Sequence, residues 1–339
     1  MKITFVAETL DPSTGGIPRY SYEISKIKDI NNVIDFSEFF NSKGVTNKVL
    51  NRLYKRKKIL EKLSGKLGGI VHFGQPEIMV KSDVLDGKKI ILTVHDLAVF
   101  GTMKVTNAYG RLRGVVFRSQ FRHAIKRADL ILVDSSQTKR ELMDVLRVGE
   151  KKVFVITLGV SQNLRPLGKK PKNIIGYFGG FNKRKRVEKL ILDFLTSRMK
   201  KDHELWLYGT QDGEYAKLVK KYGRNDGIVF KGKVKEEDVI KTLNSFKYFV
   251  FPTSYEGLGL PILEGIACGV PTCIYTDAVV PDEVKRFPKR ISKLDDIMIY
   301  DYKALKRRFL KESKRVKQFF SWERTRNETV KAYKLVSSQ

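Results

Sequence analysis

The chain has 339 residues, of which 42% are hydrophobic and 30% charged, and its formal net charge is +29 at pH 7. This length is enough for two domains with a core each; the composition excludes a disordered tail, and the lack of a long uncharged apolar stretch excludes a bilayer-spanning helix. So strong a positive charge favours phosphorylated small molecules, nucleic acid or an anionic membrane surface as partners, without choosing among them.

Predicted strands and helices alternate along most of the chain. In the first half, the apolar runs "KITFVAE", "KKIILTVHD", "ADLILVDSS" and "KVFVITLG" are separated by amphipathic stretches, which predicts βα units and a parallel sheet. A stretch rich in Gly, Pro and Lys interrupts the pattern at 159–173, and it restarts at "NIIGYFGG". We therefore predict an α/β protein with two Rossmann-like, doubly wound parallel-sheet domains, 1–165 and 166–310, and a C-terminal helical segment, 311–339, that packs back toward the first domain.

Loops that follow predicted strands are the candidate site, because ligands of open α/β sheets bind at the carboxyl ends of the strands. In "LDPSTGGIPRY", Gly15 and Gly16 allow a ligand to approach the backbone at the start of a helix, although a glycine pair can also simply make a turn. In "TVHDLAVF", His95 and Asp96 end an apolar strand. The alternative for this pair is a core histidine and a helix-capping aspartate.

The third loop, "YFGGFNKRKRVEKLI", places Gly180 at the end of a strand and a run of cations, including Arg184 and Lys185, at the start of the next helix. The helix dipole disfavours cations at that position unless an anion binds there too. The loop therefore predicts a diphosphate site, with a solvated charge run as the alternative.

The fourth loop, "SYEGLGLPILEG", presents the backbone N–H groups of 257–260 at a helix start, between Glu256 and Glu264. Such N–H groups favour an anion, and a carboxylate beside them is costly unless it bonds hydroxyl or amine groups of the ligand. Glu264 alone could instead complement the helix dipole. Together the loops predict a nucleotide sugar as the ligand.

Motifs in these loops and elsewhere in the chain resemble those of a known family. "SYEGLGLPILEGIACGVP" resembles the E-x7-E signature of retaining glycosyltransferases of family 4, which have the GT-B fold of two Rossmann-like domains facing a central cleft. "GGIPRY", "TVHDL", the Gly…Arg-Lys loop, "VDSSQTKREL", "VITLGV" and the terminal "FSWERTRNETVKAY" also resemble family segments, in the same order. The resemblance covers nearly the whole chain and implies transfer of a hexose, with retention, from a nucleoside-diphosphate sugar to a hydroxyl of a glycan or lipid-linked acceptor.

The resemblance also implies a role for individual residues. Glu264 would hold the ribose hydroxyls of the donor and Glu256 the hydroxyls of the transferred sugar, while Arg184 and Lys185 neutralise the diphosphate. His95 would touch the sugar and support charge near its anomeric carbon. The implied catalytic residues are thus His95, Glu256 and Lys185.

Further positions are implied around these residues. The other donor-binding positions are Gly15, Gly16, Gly180, Gly257, Leu258, Gly259 and Leu260, and the positions near the acceptor or the sugar are Arg19, Tyr20 and Asp96. Pro18 departs from the loop often written GGIGRY, and Gly180 stands where many relatives carry a phosphate-binding Arg, for which Arg184 is expected to substitute. The "HDL" and "RK" features resemble the mannosyltransferase-like branch and favour a GDP-hexose donor over a UDP-hexose. We expect no cofactor and no metal, since "LDDIM" lacks the D-x-D spacing.

A basic segment, residues 50–69, adds a possible partner. "LNRLYKRKKILEKLSGKLGG" has leucines at helical spacing and cations at the other positions, which is typical of a helix that lies on an anionic membrane or of a core helix with a solvated basic face. We favour the membrane-surface helix, because the first domain of the family that the chain resembles binds the acceptor. The protein is then expected to be cytoplasmic and attached peripherally to the inner face of the membrane.

Two other functions are compatible with parts of the sequence. A nucleotide-sugar 2-epimerase of the same fold would need acid/base carboxylates and no acceptor. A basic nucleic-acid-binding protein would explain the charge, but it would leave Glu256, Glu264 and the clustered glycines without a role; no specific nucleic acid is therefore expected.

Overall fold

The structure is a computed structural model that describes residues 2–39, 49–101 and 108–338. The chain divides into two compact units, Met1–Leu158 with Trp322–Gln339, and Gly159–Ser321. The first unit thus ends before the predicted boundary at residue 165, and the predicted segment 311–339 is divided between the two units. The physical reason is a local pairing inside the second unit, in which the N–H of Val160 donates to the carbonyl of Phe320 over 3.0 Å.

Strands and helices alternate through both units. The strands are β1 (Ile3–Ala7), β2 (Ile30–Asp35), β3 (Ile70–Phe73), β4 (Lys89–Val94), β5 (Leu130–Val133), β6 (Val153–Val155), β7 (Ile174–Phe178), β8 (Glu204–Tyr208), β9 (Ile228–Gly232), β10 (Tyr248–Phe251), β11 (Thr272–Tyr275) and β12 (Lys289–Ile291). The helices are α1 (Gly16–Ser25), α2 (Val49–Lys62), α3 (Ala98–Gly101), α4 (Ala108–Arg127), α5 (Ser136–Leu146), α6 (Val187–Thr196), α7 (Gly213–Tyr222), α8 (Val239–Ser245), α9 (Leu260–Ala267), α10 (Asp282–Lys285), α11 (Tyr302–Phe319) and α12 (Trp322–Ser337).

Each unit contains one parallel sheet of six strands. The order is β2-β1-β3-β4-β5-β6 in the first unit and β12-β11-β10-β7-β8-β9 in the second. Strands β1, β3, β5 and β10 are buried along their whole length, as expected for parallel strands that are covered on both faces. The predicted fold class is confirmed.

The strand orders locate the crevice of each sheet. In the first sheet the direction of winding reverses between β1 and β3, and in the second it reverses between β7 and β10. Loops that leave the carboxyl ends of strands at such a point diverge and leave room for a ligand. The loops predicted as the candidate site follow β1 and β4 in one unit, and β7 and β10 in the other.

The last two helices of the chain belong to different units. Helix α11 belongs to the second unit, where the hydroxyl of Ser313 donates to the carbonyl of Ala267 over 2.6 Å. Helix α12 belongs to the first unit, where Tyr333 is buried and its hydroxyl lies 2.8 Å from Nδ1 of His72. The C-terminal helix therefore completes the core of the first unit.

The described leucines of the basic segment at residues 50–69 face the core of the first unit, and the α-helical part of the segment ends with α2 at Lys62. Leu60 and Leu67 belong to the buried core of the first unit, and Leu53 and Leu63 pack against that core. The apolar face that suggested insertion into lipid therefore packs against the core of the first unit. The side chains of residues 50–52 lie outside the part of the chain that the structure describes. Among the described residues, no helix has the length and apolarity needed to cross a bilayer.

Candidate functional site

A buried ionic cluster lies at the carboxyl ends of β7 and β10. Glu256 follows β10 and is only 5% exposed. Its Oε1 accepts hydrogen bonds from Nζ of Lys185 at 2.7 Å and from Oγ1 of Thr253 at 2.5 Å, and its Oε2 lies 3.2 Å from Nη1 of Arg184. Because β7 and β10 are neighbours in the sheet, their following loops bring the predicted carboxylate and both predicted cations together.

The charge state of Glu256 follows from these contacts. Burial alone raises the pKa of its carboxyl, but the charges of Lys185 and Arg184 and the hydrogen bonds from Lys185 and Thr253 outweigh burial and hold the pKa below its ordinary value. Glu256 is thus an anion at neutral pH. A buried carboxylate between two cations is stable only as long as the cluster remains complete.

Arg186 fixes the backbone around this cluster. Its backbone has φ +48°, in the left-handed region that non-glycine residues rarely adopt. From there its guanidinium donates to the carbonyls of Pro252 and Thr253 at 2.8 Å each and forms a two-pronged ion pair with Asp277 at 2.7 and 2.8 Å. Sequence reasoning missed the structural roles of Arg186, Thr253 and Asp277, because nothing local in the sequence signals them.

The glycine-rich turn between the two glutamates leads into α9 as predicted. Gly259 caps the helix with φ +93°, and Pro261 lies in its first turn. A Cβ at Gly259 would lie 3.1 Å from Cδ1 of Ile262 in addition to the strained φ, so the turn requires glycine. Leu258 and Leu260 are buried, and Glu264 is half-buried on the following turn of α9.

The loop after β7 is shaped by close backbone contact. A Cβ at Gly209, after β8, would lie 1.8 Å from the carbonyl oxygen of Gly179. The neighbouring Gly180 has no such crowding, since the nearest atom to a Cβ added there would be Nδ2 of Asn182 at 3.7 Å. Its carbonyl instead accepts a hydrogen bond from the hydroxyl of Tyr177. Gly180 therefore lies at an open position beside the cation-bearing turn.

In the first unit, His95 lies at the carboxyl end of β4 and is 9% exposed. Its Nδ1 is 2.7 Å from Oδ2 of Asp134, which follows β5, and its Nε2 is 3.1 Å from the carbonyl of Gly74, which follows β3. Three adjacent strands thus fix the ring. Asp134 was not among the predicted site residues; only its place at a strand end could have drawn attention to it.

Tyr20 and Asp96, two of the residues predicted to lie near the acceptor or the sugar, have contacts within the first unit. Tyr20 is buried, with its hydroxyl 2.7 Å from Oγ1 of Thr93 and its ring edge-to-face against His95. The carboxylate of Asp96 accepts from the N–H of Ala98, the first residue of α3, at 3.0 Å. Both side chains therefore support the local structure around His95.

The glycine loop after β1 leads into α1, the helix that the sequence predicted after this loop. Gly15 has φ +150° and ψ −175°, and only the ring of Pro18 would lie within 4 Å of a Cβ added at this position. Gly16 begins α1, and the N–H of Arg19 donates to the carbonyl of Gly15 at 3.1 Å. Pro18 is accommodated inside the first turn of α1, where proline is tolerated.

Two family models match the chain and adjoin one another. The model for glycosyltransferase family 4 matches residues 70–164, and the model for glycosyl transferases group 1 matches residues 161–291. The O-antigen chain mannosyltransferase B of Escherichia coli is 24% identical over 275 residues, which are 74% of this chain and 71% of that protein.

Solved structures share the fold over almost the whole chain. Sucrose-phosphate synthase from Thermosynechococcus elongatus is similar with a TM-score of 0.76 and 18% identity, over 100% of both chains. Anabaena HepE, solved in complex with UDP-glucose, is similar with a TM-score of 0.73 and 13% identity, over 98% of this chain and 100% of that one. With these matches and the two parallel sheets, the chain is a glycosyltransferase of the GT-B type, related in sequence to mannosyltransferases.

Proposed function

We propose that the protein transfers a hexose, with retention of configuration, from a nucleoside-diphosphate sugar to a hydroxyl of a glycan or lipid-linked acceptor. The observation that carries the proposal is the buried cluster in which Lys185 and Arg184 hold the carboxylate of Glu256. The relationship to a mannosyltransferase favours mannose and a GDP-hexose donor. A UDP-hexose is the other donor that the fold accommodates in a similar structure.

The cluster has the charges that this chemistry requires. Cleavage of the bond between the anomeric carbon and the diphosphate leaves negative charge on the leaving oxygen, which preorganised cations and N–H dipoles stabilise. Lys185 and Arg184 would share their donors between Glu256 and the diphosphate, and Glu256 would accept hydrogen bonds from the sugar hydroxyls. Glu264, one turn into α9, would receive the ribose hydroxyls.

In this proposal no metal ion is needed, because the two cations neutralise the leaving group. The aspartates of "LDDIM" have structural partners: Asp295 accepts from the N–H of Arg198 at 3.0 Å, and Asp296 accepts from the N–H of Ser292 at 2.7 Å. Donor turnover measured with and without EDTA tests this part. Unchanged turnover is the expected result, and complete loss that added Mg²⁺ restores would contradict it.

The membrane part of the proposal is adsorption without insertion. The leucines of residues 50–69 are in the core, but Lys58 and Tyr54 of the same segment are exposed, and cations near an anionic surface attract it. We expect binding to vesicles that contain anionic lipid at low salt, lost at high salt. Binding to neutral vesicles but not to anionic ones, or binding to anionic vesicles that persists at high salt, would contradict electrostatic adsorption.

The donor is tested by thermal shift against GDP-mannose, UDP-glucose and ADP-glucose, followed by product analysis. The largest stabilisation is expected with GDP-mannose, because a ligand that binds the folded state more tightly raises the melting temperature further. NMR of the product then reports the anomeric configuration. Formation of an epimerised nucleotide sugar from donor alone would favour the 2-epimerase and contradict the transferase proposal.

A further inference from the structure

The two ring nitrogens of His95 face two hydrogen-bond acceptors. Nε2 lies 3.1 Å from the carbonyl oxygen of Gly74, and a carbonyl oxygen accepts only, so Nε2 must carry a proton. Nδ1 lies 2.7 Å from Oδ2 of Asp134. That contact needs a second proton, and imidazole is a stronger base than a carboxylate. The geometry therefore describes an imidazolium beside a carboxylate.

His72, in the same unit, shows the contrasting arrangement. Its Nδ1 lies 2.8 Å from the hydroxyl of Tyr333, and its Nε2 lies 2.8 Å from Oγ1 of Thr93. Hydroxyls can donate or accept, so a neutral ring satisfies both contacts. Burial lowers the pKa of His72 to about 3. A ring that faces two hydroxyls can thus remain neutral, whereas the ring of His95, which faces a carbonyl and a carboxylate, needs two protons.

We propose that Asp134 is a positioning residue that holds His95 as an imidazolium, with both N–H groups committed to protein acceptors. His95 then cannot serve as a general base, and its ring is fixed between the loops after β3, β4 and β5. The protonation state rests on these contacts together with the greater basicity of imidazole over a carboxylate. Its use in sugar transfer rests on the proposed function and on the contact with the donor sugar that the family resemblance implies for His95.

The carbonyl of Gly74 and the carboxylate of Asp96 act on His95 in the same direction as Asp134. Burial lowers the pKa of His95, but Asp134 by charge and hydrogen bond, the carbonyl of Gly74, and Asp96 by charge raise it above its ordinary value. The nearby carboxyl of Glu77 has its pKa raised by burial, and the rings of Tyr20 and His95 are in a T-shaped contact with their centroids 4.8 Å apart. His72 opposes protonation of His95 only while it is itself charged.

The partner aspartate titrates together with the ring. Burial raises the pKa of Asp134, against the opposing effect of His95, and its Oδ1 has no hydrogen-bond partner among the described residues. The carboxylate therefore depends on His95 for its stabilisation. Such a pair keeps or loses the shared proton as a unit, so replacing the carboxylate is the direct way to change the charge of His95.

The variant Asp134→Asn separates charge from shape. The amide has the size of the carboxylate, and its NH₂ group can donate to Nδ1 while Nε2–H still donates to Gly74. A neutral ring then satisfies both contacts, so the fold and the ring orientation remain. A carboxylate in hydrogen-bond contact shifts the pKa of a partner by about 1–3 units, and we expect the titration midpoint of His95 to fall by that amount.

The charge state is measured by NMR on ¹⁵N-histidine-labelled protein, which contains only four histidines. Single substitutions of the others assign the His95 signals. We expect two protonated ring nitrogens for His95 at pH 7 in the wild type and one, Nε2, in Asp134→Asn, while His72 stays neutral in both. A wild-type His95 that is neutral at pH 7, or a midpoint that Asp134→Asn leaves unchanged, would overturn the proposal.

A kinetic measurement tests the use of this charge. If transfer requires the ring in this protonated and fixed form, kcat/KM falls as pH rises through the His95 midpoint, and in Asp134→Asn this fall shifts to lower pH by about 1–3 pH units. The control variant Asp129→Asn removes a carboxylate of the same unit whose Oδ2 accepts from Ile90 at 2.7 Å, and should leave the pH profile unchanged. A protonated His95 with an unmoved profile would support the charge assignment and refute the proposed role of His95 in transfer.

Discussion

Nζ of Lys185 lies 2.7 Å from Oε1 of Glu256, although the two residues are 71 positions apart in the chain. With Arg184 at 3.2 Å from the other carboxylate oxygen, two cations surround one anion. These three side chains together carry a net positive charge, at the carboxyl ends of β7 and β10 and next to the start of α9. Both features favour an anionic ligand, and the carboxylate orients the cations before that ligand arrives.

Replacing Glu256 with Gln should abolish most activity while leaving the protein folded. The amide keeps the shape and can still accept one hydrogen bond, but it cannot balance Lys185 and Arg184 or bind sugar hydroxyls as strongly. We expect kcat/KM to fall about 100-fold, the effect of losing one preorganised polar group in an active site. Steady-state kinetics with the preferred donor measure this.

The matched control is Asp277→Asn in the same unit. It breaks the ion pair to Arg186, 2.7 Å away, and leaves the Glu256 cluster intact. Activity should stay within about threefold of the wild type, because Asp277 is 53% exposed and Arg186 keeps its hydrogen bonds to the carbonyls of Pro252 and Thr253. Equal losses in the two variants would mean that Glu256 acts only through stability.

Acid should selectively weaken the Glu256 cluster. The folded pKa of Glu256 lies below its ordinary value of 4.5, so its contribution to stability is complete above about that pH and disappears as pH falls through the folded pKa. The difference in free energy of unfolding between wild type and Glu256→Gln should be constant from neutral pH down to about 5 and shrink below that. Urea unfolding at a series of pH values measures it. A difference that grows in acid would contradict the charge assignment.

The sequence predicted the fold and the loops of this site better than it predicted their contacts. Alternating apolar runs indicate parallel βα units, and glycines mark the loops that leave them. The ion pair between Lys185 and Glu256, however, depends on β7 lying beside β10, and strand order is not visible in local patterns. The left-handed backbone of Arg186 is likewise stabilised by distant carbonyls. For the same reason, the sequence left open whether the leucines of residues 50–69 face lipid or the core, and the structure places the described ones in or against the core.

Removing the cations should weaken binding of the diphosphate rather than of the nucleoside. In Arg184→Ala and Lys185→Ala, we expect GDP to bind about 10–100-fold more weakly, since a hydrogen bond to a charged group contributes about 1.5–3 kcal/mol. Binding of guanosine should change little. Isothermal titration with both ligands gives the ratio.

The control for charge is Lys189→Ala on α6, whose Nζ pairs with Asp277 at 3.2 Å instead of with Glu256. It removes a cation of the same unit without touching the cluster. Should Lys189→Ala weaken GDP binding as much as Lys185→Ala, the general positive field of the unit and not the cluster would hold the phosphates.

Gly259→Ala should reduce both stability and donor binding. The φ of +93° costs a residue with a side chain about 1–2 kcal/mol, and the added Cβ would crowd Ile262. The turn would shift the start of α9 relative to Glu256, whose Cγ lies 3.5 Å from the new Cβ. Gly213→Ala, at the start of α7, is the matched control, because its Cβ would meet nothing within 4 Å. Thermal unfolding with and without GDP separates the two effects: Gly213→Ala should keep the wild-type GDP shift, whereas Gly259→Ala should lose most of it. A full GDP shift in Gly259→Ala would mean that the turn serves the fold alone and that the diphosphate binds elsewhere.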